Sequence, residues 1–186
     1  MKKDFNLKEV LIPAAALFAI CVAATFLLSL TNSVTSSRIE EVQKEASDTA
    51  RKKVCPRAAS FELCDEDDKS SVYSALNDNG EEIGYAVSVM DKSYGGDIEV
   101  MTGLDSNGNV TGIEILSIND TPGLGLNAKK DDFKNQYIGK TGGELVAAKQ
   151  ANADEIQAIT GATRTSEAVT RCVNKAYDLV FGEGGK

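Results

Sequence analysis

The chain of 186 residues is long enough for one domain of ordinary size plus an extension, and its content of 42% apolar and 26% charged residues is typical of a globular protein. Its formal net charge of −8, from 20 basic and 28 acidic residues, argues against nucleic acid as a partner, because the phosphate backbone would be repelled. The chain has no His, which removes the commonest general base and a common zinc ligand. We therefore expect its chemistry to come from a bound cofactor.

The first element is an apolar run at residues 10–30, 21 residues without a charge. At about 1.5 Å per residue, a helix of this length crosses a hydrocarbon core of about 30 Å. Three lysines precede the run and residues 31–37 carry no charge, so the positive-inside rule predicts that residues 1–9 are cytoplasmic. A cleaved signal peptide is the alternative, but its apolar core typically has only about 7–15 residues. We predict a single-pass anchor in the cytoplasmic membrane with the rest of the chain on the outer face.

A stalk helix and linker are predicted next, over residues 31–60. The apolar positions of residues 36–53 recur at helical spacing among charged residues. Ser37 is followed three residues later by Glu40, which is the pattern of a capping box at the start of a helix.

The cysteines do not indicate a metal site. They lie at positions 21, 55, 64 and 172, without the close spacing of soft ligands that a zinc or iron–sulfur site requires. The acidic run at residues 65–68 is contiguous, whereas calcium loops space their acids, so we expect a solvated loop there. Cys55 and Cys64 are predicted to face an oxidising compartment, which leaves open either a disulfide or two thiols.

The soluble domain is predicted over residues 61–182, with two β-hairpins. Asn- and Gly-rich turns join four strand-like segments into two pairs. The first pair is residues 72–76 and 83–90, and the second is residues 98–104 and 110–118. Their alternation of apolar and polar residues indicates a small, half-buried antiparallel sheet.

The rest of the domain is predicted to be a turn-rich loop at residues 120–126, a short helical stretch at 132–137 and a final helix at 166–181. Apolar residues of the final helix repeat at i, i+3, i+4 and i+7, as on the buried face of an amphipathic helix. Residues 183–186 are predicted to be a flexible tail. The fold class is therefore α+β, with one transmembrane helix followed by a small antiparallel sheet and flanking helices.

The segment with the clearest chemical character is TGATRT, residues 160–165, at the start of the final helix. A helix start offers unpaired N–H groups and a positive dipole end, which favour an anion such as phosphate. Arg164 adds a cation. From these residues alone, the simpler interpretation is that Thr165 or Ser166 caps the helix.

This segment resembles the S/T-G-A-T-x-T signature of the FMN-binding domain family, in which the last Thr carries FMN as a phosphoester. The segments SYGGDI (residues 93–98), MTGLD (101–105) and TPGLG (121–125) resemble, in order and spacing, the G subunits of the Rnf electron-transport complex. The resemblance covers most of residues 1–182. This chain departs from the family at Asp120, where the family has Glu, and at Gln157, where it often has Asp.

The resemblance implies that FMN is attached covalently to Thr165. The other residues expected to contact the cofactor are Thr160, Gly161, Ala162, Thr163 and Arg164 of the signature and Thr121, Gly123, Leu124 and Gly125 of the preceding loop. Tyr94 is a further candidate for the border of the flavin ring. We expect no catalytic residue in this chain. A Thr hydroxyl is a weak nucleophile and no His is present to activate it, so we expect that the chain does not attach its own cofactor. The resemblance implies that a separate, magnesium-dependent flavin transferase moves FMN from FAD onto Thr165.

The function implied by the resemblance is electron relay within a membrane-bound, ion-translocating ferredoxin:NAD oxidoreductase. The chain would act as one subunit of this translocase, without complete activity alone. Its partners would be the other integral and peripheral Rnf subunits, and membrane lipid around residues 10–30. The alternatives are a C-type subunit of a sodium-translocating NADH:quinone reductase, a membrane-tethered FMN-binding sensor module, and an anchored binding domain without a cofactor.

Overall fold

A computed structural model describes residues 7–182 of the chain. The first six residues of the predicted cytoplasmic segment and the predicted tail at 183–186 lie outside the described residues. The chain divides into two compact units, Met1–Glu45 and Ala46–Lys186. The second unit contains the predicted domain of residues 61–182 together with the last turns of the first helix.

The first helix, α1 (Leu7–Val54), is one uninterrupted helix of 48 residues. Among the described residues, it is the one helix long and apolar enough to cross a membrane, with a mean hydropathy of 2.5 over its most apolar window. The helix predicted over residues 36–53 is present as the continuation of α1, so the prediction that a helix begins at Ser37 is wrong. No Gly or Pro interrupts residues 31–53, so this polar segment contains no helix-breaking residue.

The second unit is built on a five-stranded antiparallel sheet whose strands follow one another in chain order. The strands are β1 (Ser60–Glu66), β2 (Ser70–Leu76), β3 (Glu82–Lys92), β4 (Asp97–Asp105) and β5 (Val110–Ile118). Both predicted hairpins are present, as β2–β3 and β4–β5. The α+β fold class is confirmed.

Strand β1 is the main difference from the predicted sheet. The acidic residues Asp65 and Glu66 end this strand and do not lie in a loop, so the predicted loop at 65–68 is half wrong. As an edge strand that pairs only with β2, β1 is mostly exposed, and charged side chains on such a strand discourage pairing with other chains. Its exposure removes the alternation by which a strand is recognised in a sequence.

Each face of the sheet is covered by a helix. Helix α3 (Thr163–Phe181) lies on one face and buries the predicted apolar residues Val169, Cys172, Val173, Ala176 and Val180. Ala50 and Val54, at the end of α1, pack on the other face with Ala86 and Met101. A hydrogen bond joins the end of α1 to β5: the hydroxyl of Thr111 donates to the Val54 carbonyl at 2.5 Å. The core therefore has two layers, one on either side of the sheet.

The segment between β5 and α3 is made of short elements. It contains a 3₁₀ turn (Gly125–Lys129), helix α2 (Asp131–Lys134), a second 3₁₀ turn (Asn135–Tyr137) and a parallel pair of two-residue strands, β6 (Ala147–Ala148) and β7 (Ile156–Gln157). The helical stretch predicted at 132–137 is thus divided between α2 and the second turn. Tyr137 is fully buried and its hydroxyl bonds that of Thr170 at 2.8 Å, which attaches the segment to α3.

The sulfur atoms of Cys55 and Cys64 contact different backbone carbonyls. The Cys55 thiol donates to the Tyr85 carbonyl at 3.4 Å, and that of Cys64 donates to the Glu62 carbonyl at 3.7 Å. Burial raises the pKa of the Cys55 thiol to about 11, against the smaller opposing effect of its hydrogen bonds.

Candidate functional site

A cavity of about 520 Å³ lies where the loop after β5 meets the start of α3. Its volume falls in the range of about 300–1,000 Å³ that is usual for small-molecule sites. It is lined by eight of the ten residues that the sequence predicted to contact a cofactor: Thr121, Leu124, Gly125, Gly161, Ala162, Thr163, Arg164 and Thr165. Thr160 and Gly123 do not line it, whereas Tyr94, Asp120 and Lys149 do.

Thr165 is the third residue of α3 and lines this cavity. Only 1% of its surface is exposed. Its hydroxyl donates to the carboxylate oxygen Oδ2 of Asp120 at 2.6 Å. The capping interpretation is wrong, because the residue before the helix is Ala162 and no side chain caps its first N–H groups. Ser166 does not cap the helix either: its hydroxyl accepts from the Ile159 N–H at 2.9 Å.

Asp120 is a buried carboxylate, 5% exposed, two residues after the end of β5. Oδ2 accepts from the hydroxyls of Thr165 and Ser93, the latter at 2.5 Å, and Oδ1 accepts from the Gly95 N–H at 2.5 Å. Burial favours the protonated form, but these three hydrogen bonds outweigh it and hold the pKa of Asp120 below its ordinary value. The side chain is therefore an ionised carboxylate at neutral pH.

The sheet brings Ser93, Gly95 and Asp120 together. Ser93 and Gly95 belong to the turn between β3 and β4, and Asp120 follows β5. Because the strands are antiparallel, all three residues lie at the same end of the strands. A side chain at Gly95 would place its Cβ 2.4 Å from the Asn119 carbonyl oxygen. One at Gly125 would lie 2.4 Å from the Asp120 Cβ. Because glycine has no side chain, both positions leave space for Asp120.

The signature and the TPGLG loop also meet directly. Gly161 has a φ of +79°, and a Cβ there would lie 3.0 Å from a methyl group of Leu124. Gly123 has a φ of +77° with open space around it, so its role is the turn and not close approach. Gly125 approaches Asp120 and also lines the cavity.

The rim of the cavity combines apolar surface with positive charge. The Tyr94 ring is 73% exposed and Leu124 is 43% exposed. Arg164 and Lys149 are exposed cations, and neither is in an ion pair within the part of the chain that the structure describes. Two cations thus accompany one buried carboxylate at this site.

These residues fit an FMN group. The first N–H groups of α3 have no acceptor inside the helix and, with Arg164 and Lys149, suit a phosphate. Tyr94 and Leu124 offer the apolar surface that a flat aromatic ring requires.

Three features of the site had no sequence prediction. Asp120 was visible only as a departure from a family pattern, and the Ser93–Gly95 turn only as part of a resemblance. A short polar residue beside a Gly-rich turn does not by itself indicate a buried hydrogen bond to a distant residue. Lys149, in the loop between β6 and β7, has no local pattern that distinguishes it from other surface lysines.

Comparisons with known proteins show the family of the chain. Residues 93–178 match the family model for the FMN-binding domain. The chain is 38% identical over 182 residues to the G subunit of the Na⁺-translocating ferredoxin:NAD⁺ oxidoreductase complex of Acetobacterium woodii, covering 88% of this chain and 87% of that one. It is 28% identical to the G subunit of the ion-translocating oxidoreductase complex of Methanosarcina acetivorans, over 96% and 98% of the two chains.

A third relative is the G subunit of the proton-translocating ferredoxin:NAD⁺ oxidoreductase complex of Clostridium ljungdahlii, 42% identical over 120 residues, which cover 63% of this chain and 64% of that one. Among solved structures, NqrC of Shewanella oneidensis superposes with a TM-score of 0.49 at 17% identity, over 67% of each chain. The curated relatives confirm the resemblance seen in the sequence. The chain belongs to the family of G subunits of the ion-translocating Rnf oxidoreductase complexes, and residues 93–178 are its FMN-binding domain.

Proposed function

We propose that this chain carries FMN in a phosphoester bond to Thr165 and relays electrons between other redox groups of a membrane-bound, ion-translocating ferredoxin:NAD oxidoreductase. The observation that carries the proposal is the position of Thr165, the last Thr of the signature. Thr165 lines the cavity, and its hydroxyl donates a hydrogen bond to Asp120. The curated relatives support the assignment to such a complex.

Each part of the cavity has a role in this proposal. The start of α3, with Arg164 and Lys149, holds the phosphate and offsets its negative charge. Tyr94 and Leu124 hold the ring and exclude water from one side of it. Bound FMN supplies the redox chemistry, and the chain supplies its position.

Attachment of the cofactor requires a second protein. The hydroxyl of Thr165 is a weak nucleophile, and FMN has to be transferred to it from a donor. By resemblance to the family, a magnesium-dependent flavin transferase that uses FAD would be a transient partner.

The chain is anchored by residues 10–30 of α1, in contact with lipid. The lysines before this run favour a cytoplasmic N-terminus in the cytoplasmic membrane, with the FMN-binding domain on the outer face. The run carries no charged residue, whereas intramembrane charges usually mark ion paths. Ion translocation would therefore belong to the partner subunits.

Covalent loading is tested on the full-length chain, expressed with and without a flavin transferase and then denatured. With the transferase, we expect fluorescence on a denaturing gel and a mass gain of one FMN less one water. Thr165→Val removes both. Thr141→Val is the matched control, because Thr141 is an exposed threonine that does not line the cavity, and it keeps the covalent flavin. Covalent flavin on Thr165→Val, or none on the wild type beside an active transferase, contradicts the proposal.

Membership in a complex is tested by purifying the tagged chain from native membranes in mild detergent. We expect integral redox subunits to copurify in fixed proportion. A chain that carries FMN but is always isolated alone would instead indicate the sensor alternative.

A further inference from the structure

We propose that Asp120 is the base that accepts the Thr165 hydroxyl proton when that hydroxyl becomes an FMN ester. This inference rests on the proposed attachment of FMN to Thr165. It assigns a chemical step of the attachment to the acceptor chain and not to the transferase alone.

The first support is the geometry of the two side chains. Thr165 Oγ1 lies 2.6 Å from Asp120 Oδ2, within the hydrogen-bond distance that a general base requires. The hydroxyl hydrogen is directed at the carboxylate, so the lone pairs of Oγ1 remain for bond formation. Both side chains line the same cavity, and both are almost fully buried.

The second support is the surroundings of the carboxylate. All three of its hydrogen-bond donors are neutral, and none of the ion pairs in the described part of the chain includes Asp120. Its negative charge is therefore not neutralised by a cation. The bonds from Ser93 and Gly95 keep the carboxylate in place after the proton of Thr165 has moved.

The third support is the timing of proton transfer. A carboxylate whose pKa is held low cannot deprotonate a free alcohol beforehand. It can accept the proton as the oxygen bonds to phosphorus, because the acidity of the hydroxyl rises steeply as that bond forms. Asp120 would thus act during the step and not before it.

The step balances with FAD as the co-reactant. Thr165 Oγ1 forms a bond to the phosphorus on the flavin side of the pyrophosphate, and the bond from that phosphorus to the bridging oxygen breaks. The leaving AMP takes the electron pair. The hydroxyl proton passes to Asp120 Oδ2 and from there to solvent or to the leaving phosphate, and nothing is oxidised or reduced.

The test uses the full-length chain, purified in detergent without flavin, with purified transferase, FAD and Mg²⁺. Initial rates of covalent flavin incorporation are measured against the concentration of the chain, to separate kcat from KM. For Asp120→Asn we expect kcat to fall about 100-fold or more, with little change in KM, because general-base catalysis typically contributes about 10²–10⁴-fold. Glu114→Gln, which alters a half-buried carboxylate away from the cavity, is the matched control and leaves kcat unchanged.

A second variant distinguishes a base from a structural support and remains informative if Asp120→Asn does not fold. Ser93→Ala removes one donor from the same carboxylate oxygen and so raises the pKa of Asp120, and we expect the pH below which loading slows to move upward. An unchanged pH profile of kcat in Ser93→Ala would mean that the network only positions Thr165, and it would overturn the inference.

The inference is also overturned if folded Asp120→Asn is loaded as fast as the wild type or faster, because the bond to Thr165 would then only shield the hydroxyl. These outcomes are independent of the proposed function. Loading of the wild type and its loss in Thr165→Val test the attachment site whatever the Asp120 variants do.

Discussion

Two carboxylates of the second unit, Glu114 and Asp120, are stabilised in opposite ways. Glu114 accepts from the ammonium groups of Lys134 at 2.6 Å and Lys53 at 3.1 Å, so its charge is neutralised by two cations. Within residues 7–182, Asp120 accepts from two hydroxyls and one backbone N–H and from no cation.

The difference separates a structural carboxylate from a functional one. Glu114 connects β5 to α2 and to the end of α1, and its partners account for both of its oxygens. Asp120 retains its negative charge at the floor of a cavity, with a nucleophilic hydroxyl as one of its partners. Its charge is stabilised by hydrogen bonds and not by an ion pair, and because this carboxylate lines a cavity beside a hydroxyl, we interpret it as a requirement of the site.

The largest expected effect comes from deleting each carboxylate in turn. Asp120→Ala leaves two hydroxyls and one N–H without their acceptor, and we expect the free energy of unfolding to fall by about 3 kcal/mol. Glu114→Ala leaves two ammonium groups that can reach water, and we expect a loss of about 1 kcal/mol. Denaturant unfolding of the full-length chain in detergent measures both. Equal losses would remove the distinction between the two sites.

A smaller effect is expected from acid. Burial raises the pKa of each carboxyl, but hydrogen bonds at Asp120, and Lys134 and Lys53 at Glu114, lower it by more. A carboxyl with a depressed pKa contributes stability above its ordinary pKa of about 4, and that contribution is lost as the pH falls through the folded value. We expect the wild type to lose stability below about pH 4 and both Asp120→Asn and Glu114→Gln to lose less over the same range. Unfolding midpoints between pH 3 and 7 provide the measurement, and unchanged slopes in the variants would contradict the assignment.

The smallest effect distinguishes the two lysines of Glu114. The Lys53 side chain is 62% exposed, and we expect Lys53→Ala to cost less than about 0.5 kcal/mol, a cost that disappears in high salt. The Lys134 side chain is only 13% exposed, so Lys134→Ala costs more and depends less on salt. Unfolding in low and high NaCl tests the difference. A larger cost for Lys53 than for Lys134 would contradict this ranking.

Much of the second unit could be predicted because its signals are local. The hairpins follow from turn residues such as Asp105, whose carboxylate accepts from the N–H groups of Asn107 and Asn109 at 2.9 Å. Helix α3 follows from its apolar periodicity, although it begins at Thr163, three residues before the predicted start. Strand β1 and the continuity of α1 could not be predicted, because an exposed edge strand lacks alternation and a polar helical segment resembles a linker.

The site was predictable in part. The signature and the TPGLG loop were found through a family resemblance, and the fold brings them to one cavity. The bond between Asp120 and Thr165 joins residues 45 apart in the chain, and no spacing rule connects them. The bond forms at one end of the strands, where the β3–β4 turn holds the carboxylate beside the start of α3.

The bond between Thr165 and Asp120 has a consequence for the order of assembly. An esterified Thr165 has no hydrogen to donate, so this bond belongs only to the chain without its cofactor. In that state it satisfies a buried hydroxyl and a buried carboxylate together, which lets the empty domain fold before any flavin arrives. Under the proposed attachment, folding would come first and loading second, and a transferase would meet a folded domain with its acceptor hydroxyl already oriented.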